Sequence, residues 1–421
     1  MGKIGLPLAI QYALKGHSVI GIDIDSERVN LINDGHEPFP GEQDLQESLL
    51  RVLEQGLFTA TIDASHGVSR SQNIVVAVPL IVNGESEPDF ASLDAVTNEI
   101  GKCLKPGDLV IYETTLPIGT TRNRFLPTLE KISGLKCPSD FSLIFSPERV
   151  LTGRVFEDLR KYPKIVGGIS DACSVVGKNF YQSVLDFDIR TDLVEGNGVW
   201  VLGSAEAAEF VKLAETTFRD VNISLANQFS LDASRLGLDI QKIIQSANSQ
   251  PYSNIHNPGI SVGGHCIPVY PLLYLSTNPG AELVRVAREL NSEMPAKAIK
   301  RIQETLGSLS GKTVAILGVS YRSGVKETAF SGAFRLKTEL EDLVATPLFI
   351  DPLYTSNELR ELGFEPTAEE NPDVEIVIIH THYQELLDDL FKIFPNCRLI
   401  FDGRGVVNPA SLPPLVTLVK I

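Results

Sequence analysis

MGKIGLPLAIQYALKGHSVIGID, residues 1–23, is the stretch from which the fold is read. After Gly2 and Gly5 an apolar helix runs through Leu6 to Leu14 and stops at Lys15-Gly16. A short strand follows and ends in the acid Asp23. In G-x-G-x-x-G the glycines allow a tight turn, close approach of the backbone to a pyrophosphate, and helix packing. An acid about 20 residues on then takes the ribose hydroxyls. Gly2 and Gly5 fit the second and third glycines, and Asp23 lies at the ribose spacing; helix-packing glycines would account for Gly2 and Gly5 equally. The first glycine falls immediately before Met1, and the strand that feeds the turn is missing. That strand is the central one of a Rossmann sheet. The reading therefore expects an N-terminally truncated chain, with Met1 the internal residue between the first two glycines, a point that mass spectrometry of the native N-terminus tests.

Working outward, Asp23-Ile24-Asp25-Ser26-Glu27-Arg28 puts the acid close to an arginine suited to a cofactor phosphate or adenosine, or to a surface salt bridge. Ile74 to Val78 reads as a buried parallel strand, ending at Pro79. Leu109 to Thr115 is the next, followed by the polar loop Leu116 to Thr121. Ser142 to Phe145 ends in Ser146-Pro147-Glu148-Arg149, and Lys164 to Gly168 is a further strand. Polar residues just beyond strand carboxyl ends are where open α/β sheets bind ligands. This alternation predicts a doubly wound α/β domain over residues 1–190.

Gly196-Asn197-Gly198 is a linker signal. From Ser204 to Leu236 there is no Gly or Pro, and apolar residues recur at helical spacing. Ser204 suits the N-cap and Gly237 the C-terminal stop, giving a helix of about 50 Å that bridges domains and offers a dimer face. Lys212 lies on it, one turn from Glu209 and Thr216, where an isolated lysine would be a solvated side chain. A shorter helix and a polar loop containing Asn254 lead to PGISVGGHCIPVYPLLY, residues 258–274. Gly263 and Gly264 free the backbone before His265 and Cys266. A cysteine behind such a turn is either a presented thiol, activated by the adjacent His265, or a small buried hydrophobe.

From Gly311 a second α/β pattern begins, opening with Thr313 to Arg322 and continuing with strands at 347–351, 374–379 and 398–402, the last leading into Gly403-Arg404. His380 and His382 lack a third ligand in a sensible pattern and read as a strand end, so no metal site is expected. Two α/β domains joined by a long helix place a cleft between them, which the Cys266 loop can line.

The totals narrow the class. A chain of 421 residues predicts two to three domains. A net charge of −16 argues against nucleic acid as a partner. The longest apolar run, Ile74 to Val82 with Pro79 inside it, is too short to cross a membrane, and no signal segment opens the chain. Five scattered cysteines point to a reducing cytoplasm without disulfides or zinc.

Together these residues resemble the UDP-glucose/GDP-mannose dehydrogenase family over nearly the whole chain. Gly2 to Ala9, Thr115-Leu-Pro-Ile-Gly-Thr, Ser146-Pro-Glu-Arg and Gly263-Gly-His-Cys266 match its motifs in order, as does the helix from Lys212 to Asn222-Ile223. The resemblance implies two Rossmann-like doubly wound domains joined by a long central helix. Residues 1–190 would form the NAD-binding domain, 191–300 the helical dimerisation domain carrying the Cys loop, and 301–421 the UDP-sugar domain. It implies a two-step oxidation of the C6 alcohol of a nucleotide sugar by NAD, in a cytoplasmic homodimer serving surface polysaccharide synthesis. Histidine before the cysteine and Glu-Arg-Val after Ser-Pro are similar to the branch acting on UDP-N-acetylhexosamines, UDP-N-acetyl-D-mannosamine above all. UDP-glucose oxidation and a non-catalytic nucleotide-sugar-binding paralogue are the alternatives.

By resemblance Cys266 is the nucleophile, forming a thiohemiacetal and then a thioester, Lys212 steadies the oxyanion, and Glu148 and Thr115 position the hydrolytic water. Gly2, Ile4, Asp23, Arg28, Pro79 and Thr115 would hold NAD. Glu148, Arg149, Lys212, Asn254, Gly263 and Arg404 would meet the substrate. The chain departs from the family pattern at Tyr270, where an Asp is usual, at Thr216 for Asn, at Pro251-Tyr252 for Pro-Arg, and across Lys326 to Ser331.

Overall fold

The computed structural model describes residues 1–83 and 87–421. The chain divides inside its long helix into two compact units, Met1–Ala214 and Glu215–Ile421.

In the N-terminal unit the helix Gly5–Leu14 buries Leu6, Leu8, Ile10 and Ala13. It ends at Gly16, whose φ of +89° continues no helix. Strand β1 (Val19–Ile22) pairs in parallel with β2 (Phe58–Thr61) as a separate two-stranded sheet. Between them Asp25 caps the helix Ser26–Asn33, its side chain accepting from the Glu27 and Arg28 amides. The main sheet contains β3 (Asn73–Val76), and a short antiparallel pair, β4 (Ile81–Val82) and β5 (Pro88–Asp89), follows it. Next come β6 (Leu109–Tyr112), β7 (Ser142–Phe145), β8 (Lys164–Gly168) and β9 (Val199–Val201), in the order β3-β6-β7-β8-β9. β8 runs antiparallel to β7, while the other pairs of this sheet are parallel. Apolarity does not reveal this, because a buried strand reads the same in either direction. All four residues of β6 are buried, and the helix Asp171–Val184 closes one face with Tyr181 and Val184 in the core beside Ile111, Ile144 and Val166.

The long helix spans Ala205–Arg235, 31 residues and about 46 Å at 1.5 Å per residue. Ser204 Oγ accepts from the Ala207 amide at 3.2 Å, and Gly237, with φ +68°, follows its end.

The C-terminal unit contains β10 (Thr313–Leu317), β11 (Thr346–Ile350), β12 (Val374–Ile379), β13 (Leu399–Asp402) and β14 (Thr417–Lys420). Their order is β11-β10-β12-β13-β14, all parallel. The order reverses between β10 and β12, the switch point beyond whose carboxyl ends such sheets bind ligands. Helices Glu282–Leu306 and Gly332–Asp342 cover one face, with Ile299, Ile302 and Leu336 packed on Val314, Ile316 and Phe401. Among the described residues no helix is long and apolar enough to cross a membrane.

Candidate functional site

In the N-terminal unit the residues expected to face a cofactor gather beyond β1, β3 and β6. The helix Gly5–Leu14 begins without a side-chain cap and without an acid in its first turn. Its first amides are thus suited to an anion. A Cβ on Gly5 would lie 3.6 Å from Ala77 Cβ, so the helix start adjoins the segment after β3. Thr114 Oγ1 donates to the Val78 carbonyl, which ties the Pro79 segment to the loop carrying Thr115. Thr115 is buried, whereas Pro79 is exposed. Asp23, beyond β1, accepts from the Asp25 amide at 3.0 Å, the Arg28 guanidinium at 2.9 Å and the Met1 ammonium at 2.7 Å. Burial opposes its ionisation, but these donors outweigh it and hold the carboxyl at about 2. Arg28 also reaches Asp25 at 3.1 Å and lies 5.3 Å from the centre of the Phe39 ring.

The loop after Thr115 is held from the long helix. Glu209 accepts from the Gly119 amide at 2.5 Å, the Thr121 amide at 2.9 Å and the Thr121 hydroxyl at 2.7 Å. Burial raises the Glu209 carboxyl to about 7 against the pull of these donors. Lys212, one turn on, is buried as well.

Beyond β7 lies a charge cluster. Glu148 Oε2 accepts from Lys164 at 2.8 Å, and its Oε1 from the Arg149 amide at 2.7 Å. Lys164, the first residue of β8, also meets Glu113 Oε1 at 3.0 Å and stands 4.7 Å from the centre of the Tyr181 ring. Tyr12 donates to the same Glu113 oxygen at 3.3 Å, and so does Tyr181. Burial disfavours the Lys164 charge, but the two carboxylates outweigh it and hold its pKa above the ordinary lysine value.

In the C-terminal unit the Cys266 turn is fixed along its length. Asn222 donates to the Asn254 carbonyl at 2.7 Å and accepts from the His256 amide at 2.9 Å. The Gly259 amide donates to Asn227 Oδ1 at 2.9 Å and the Ile260 amide to the Gly403 carbonyl at 3.0 Å. Ser261 Oγ lies 2.9 Å from His380 Nε2, while His380 Nδ1 donates to the Gly318 carbonyl at 2.9 Å. The carbonyl can only accept, so Nδ1 carries the proton and Nε2 accepts from Ser261. Burial lowers His380 to about 3, leaving it a neutral structural joint at the switch point.

Gly264 takes φ +93°, and its amide donates to the Ala329 carbonyl at 2.8 Å. A Cβ on Gly263 would meet Tyr321 Cβ at 2.6 Å and the Phe330 carbonyl at 3.0 Å. These glycines thus serve close packing within the protein as well as the turn. Cys266 is exposed, and its carbonyl accepts from the amides of Val269 at 3.2 Å and Tyr270 at 2.9 Å. The thiol is therefore displayed, not buried as a small hydrophobe. Tyr270 opens the helix Tyr270–Thr277. His265, the candidate activator, turns its Nε2 to Glu327 Oε2 at 3.4 Å. Arg404 donates through Nε to the His380 carbonyl at 2.5 Å, and its Nη2 is buried without a hydrogen-bond partner among the described residues. Burial lowers this guanidinium to about 10.

Two domain profiles of one family match in chain order: the NAD binding domain of the UDP-glucose/GDP-mannose dehydrogenase family at residues 1–185, and its central domain at 206–293. A UDP-N-acetyl-D-mannosamine dehydrogenase from Pyrococcus horikoshii is 33% identical over 413 residues, 97% of this chain and 94% of the relative. The chain belongs to the UDP-glucose/GDP-mannose dehydrogenase family. An NDP-N-acetyl-D-galactosaminuronic acid dehydrogenase from Ralstonia solanacearum is 30% identical over 425 residues, 98% of this chain and 96% of that one. The solved UDP-D-ManNAc dehydrogenase of Pyrococcus horikoshii superposes with a TM-score of 0.86 at 31% identity, covering 100% of this chain and 97% of that one. The UDP-N-acetyl-mannosamine dehydrogenase Cap5O from Staphylococcus aureus gives 0.83 at 29% identity, covering 100% and 96%.

As a member of this family the protein is an NAD-dependent nucleotide-sugar dehydrogenase. The uncapped helix start suits the pyrophosphate of NAD, and the Asp23 carboxyl beyond β1 suits a ribose. The N-terminal unit thus contains Gly2, Ile4, Asp23, Arg28, Pro79, Thr115, Glu148, Arg149 and Lys212, and the C-terminal unit contains Asn254, Gly263, Cys266 and Arg404. Sequence reasoning missed Glu113, Lys164, Tyr12 and Tyr181, and read Glu209 only as a helical neighbour of Lys212. The available signal was ionic: a lysine opening a buried strand and an acid on the buried face of a helix both demand partners.

Proposed function

We propose that the protein oxidises the C6 alcohol of a UDP-N-acetylhexosamine, UDP-N-acetyl-D-mannosamine in the first instance, to the uronate. Cys266 carries this reading, as an exposed thiol on a turn held by Asn227, Gly403, His380 and Ala329. NAD, when bound, accepts the hydride removed from C6 at each oxidation, and the hydroxyl proton is released to solvent each time. The first oxidation converts the alcohol to an aldehyde. Cys266 Sγ adds to that carbonyl, its proton passing to the new hydroxyl, and the thiohemiacetal keeps the aldehyde from escaping. The second oxidation leaves a thioester. Water then breaks the C–S bond, releasing the carboxylic acid and restoring the thiol.

Lys212 stabilises the oxyanion, as a preorganised buried cation does well. Glu148 and Thr115 direct the water, and Arg149, Asn254, Gly263 and Arg404 hold the substrate. The unpartnered Nη2 of Arg404, beyond β13, supports a substrate oxygen as its missing acceptor. Residues 1–190 serve NAD, 191–300 carry the Cys turn, and 301–421 bind the UDP-sugar. The product is a uronic sugar for a surface polysaccharide, made in the cytoplasm.

A homodimer is supported by an apolar stripe on the long helix, Phe218, Leu225 and Phe229, exposed by 59%, 45% and 38%. Their spacing of seven and four keeps them on one face. Sedimentation of Leu225→Glu should give a monomer; an unchanged dimer would exclude this face. Substrate choice is tested by comparing kcat/KM for UDP-N-acetyl-D-mannosamine, UDP-N-acetyl-D-galactosamine and UDP-glucose. Faster turnover of UDP-glucose would move the assignment to the other branch, and no turnover of any of them would leave a binding protein.

A further inference from the structure

Glu148 is the most exposed member of its charge cluster, with a side chain 11% exposed, while those of Lys164 and Glu113 are 4% and 1% exposed. Both Glu148 oxygens are engaged, Oε2 by Lys164 and Oε1 by the Arg149 amide. Lys164 is in turn held from behind. Glu113 Oε1 lies 3.0 Å from its ammonium, and that oxygen also takes hydroxyl hydrogen bonds from Tyr12 and Tyr181. The ammonium lies over the Tyr181 ring, so contacts on several sides fix it.

Two acids sharing one buried base is an unbalanced arrangement. A buried ion pair contributes little net stability compared with well-packed apolar residues, and a surplus buried carboxylate contributes less still. A buried ion cluster of this kind is a candidate for a site whose geometry serves chemistry. The outward contact of Lys164 is Glu148.

We propose that Lys164, backed by Glu113, is a positioning residue that fixes the Glu148 carboxylate in the orientation in which it directs water at the acyl-enzyme carbonyl. The proposal rests on the assignment of Glu148 to thioester hydrolysis above. Without Lys164 the Glu148 side chain keeps only the Arg149 amide contact and can rotate away. Both oxidations then proceed, but hydrolysis slows and the thioester persists on Cys266.

The test is intact-protein mass spectrometry of enzyme quenched during turnover of NAD and UDP-N-acetyl-D-mannosamine, comparing wild type with Lys164→Met, Lys164→Arg and Glu148→Gln. Lys164→Met and Glu148→Gln are expected to accumulate an adduct equal to the substrate less four hydrogens, mapped to the Cys266 peptide. Wild type shows none, and kcat in the two variants falls on the order of 100-fold. Lys164→Arg restores a cation near Glu148 and should recover most of kcat without adduct. A purely structural lysine would lower activity without trapping the adduct. Adduct in Glu148→Gln but not in Lys164→Met overturns the positioning role and leaves the Glu148 assignment standing; adduct in neither overturns both. If Lys164→Met does not fold, Glu113→Gln/Lys164→Met removes the unpaired buried acid, and the same adduct is required of it.

Discussion

Replacing Glu209 with glutamine probes how the loop after Thr115 is held, and its effect has a definite pH dependence. The carboxylate accepts from Gly119, from the Thr121 amide and from the Thr121 hydroxyl, all buried. Glutamine keeps the shape but turns an NH₂ group toward one of these donors, leaving a buried donor unsatisfied. That costs about 1–3 kcal/mol. The second effect comes from titration. The folded-state value of about 7 lies above the ordinary 4.5, so between these values the folded protein holds a proton that the unfolded chain has released. A raised folded pKa contributes stability that is fully present below the unfolded value and is lost as pH rises through the folded one. At about 1.4 kcal/mol per pH unit the loss sums to about 3 kcal/mol. Glutamine binds no such proton and contributes no slope. The advantage of wild type over Glu209→Gln should therefore be largest near pH 5 and shrink by about 2–3 kcal/mol by pH 8. The single tryptophan, Trp200 in β9, reports on the N-terminal unit, so urea unfolding followed by its fluorescence at several pH values measures the gap. A gap that stays constant or widens with rising pH would refute the reasoning.

Other substitutions test the C-terminal unit. Gly264→Ala places a side chain at φ +93° with its Cβ 3.1 Å from the Tyr321 ring, and should cost about 1–3 kcal/mol in denaturant unfolding; an unchanged midpoint would count against the strained turn. Asn227→Ala removes the acceptor of the Gly259 amide and a donor to Asn291 Oδ1 at 2.8 Å. The expected loss is about 1–3 kcal/mol by the same assay, with reduced kcat as the Cys turn loosens. Arg404→Lys gives up the planar fork, and should raise KM for the sugar roughly tenfold with a smaller change in kcat. A fall in kcat with KM unchanged would remove Arg404 from substrate binding.

Local chemistry was legible in the chain. The absence of Gly and Pro from Ser204 to Leu236 predicts a helix within a residue or so of Ala205–Arg235, because helix ends are set by nearby caps. Alternating apolar strands and helices gave the parallel C-terminal sheet, and the glycine pair gave the turn at Cys266. Long-range pairing was not legible. Lys164 reads as the first letter of an apolar strand, and its partners Glu113 and Glu148 come from the ends of two other strands. Glu209 reads only as a helical neighbour of Lys212, yet it binds a loop far away in sequence. The antiparallel β8 escaped for a related reason, since strand direction depends on tertiary packing and not on residue order along the strand. His265 followed sequence adjacency to the thiol, but side chains adjacent in sequence on a turn diverge, and it faces Glu327 instead.

The central claim is covalent capture by Cys266, and it is tested most directly by counting NADH against sugar consumed. With limiting UDP-N-acetyl-D-mannosamine and excess NAD, wild type should form two NADH per sugar and release the uronate. Cys266→Ala should form at most one NADH and no uronate, because its aldehyde has no thiol to add. A Cys266→Ala enzyme that still gives two NADH and the uronate would contradict the account.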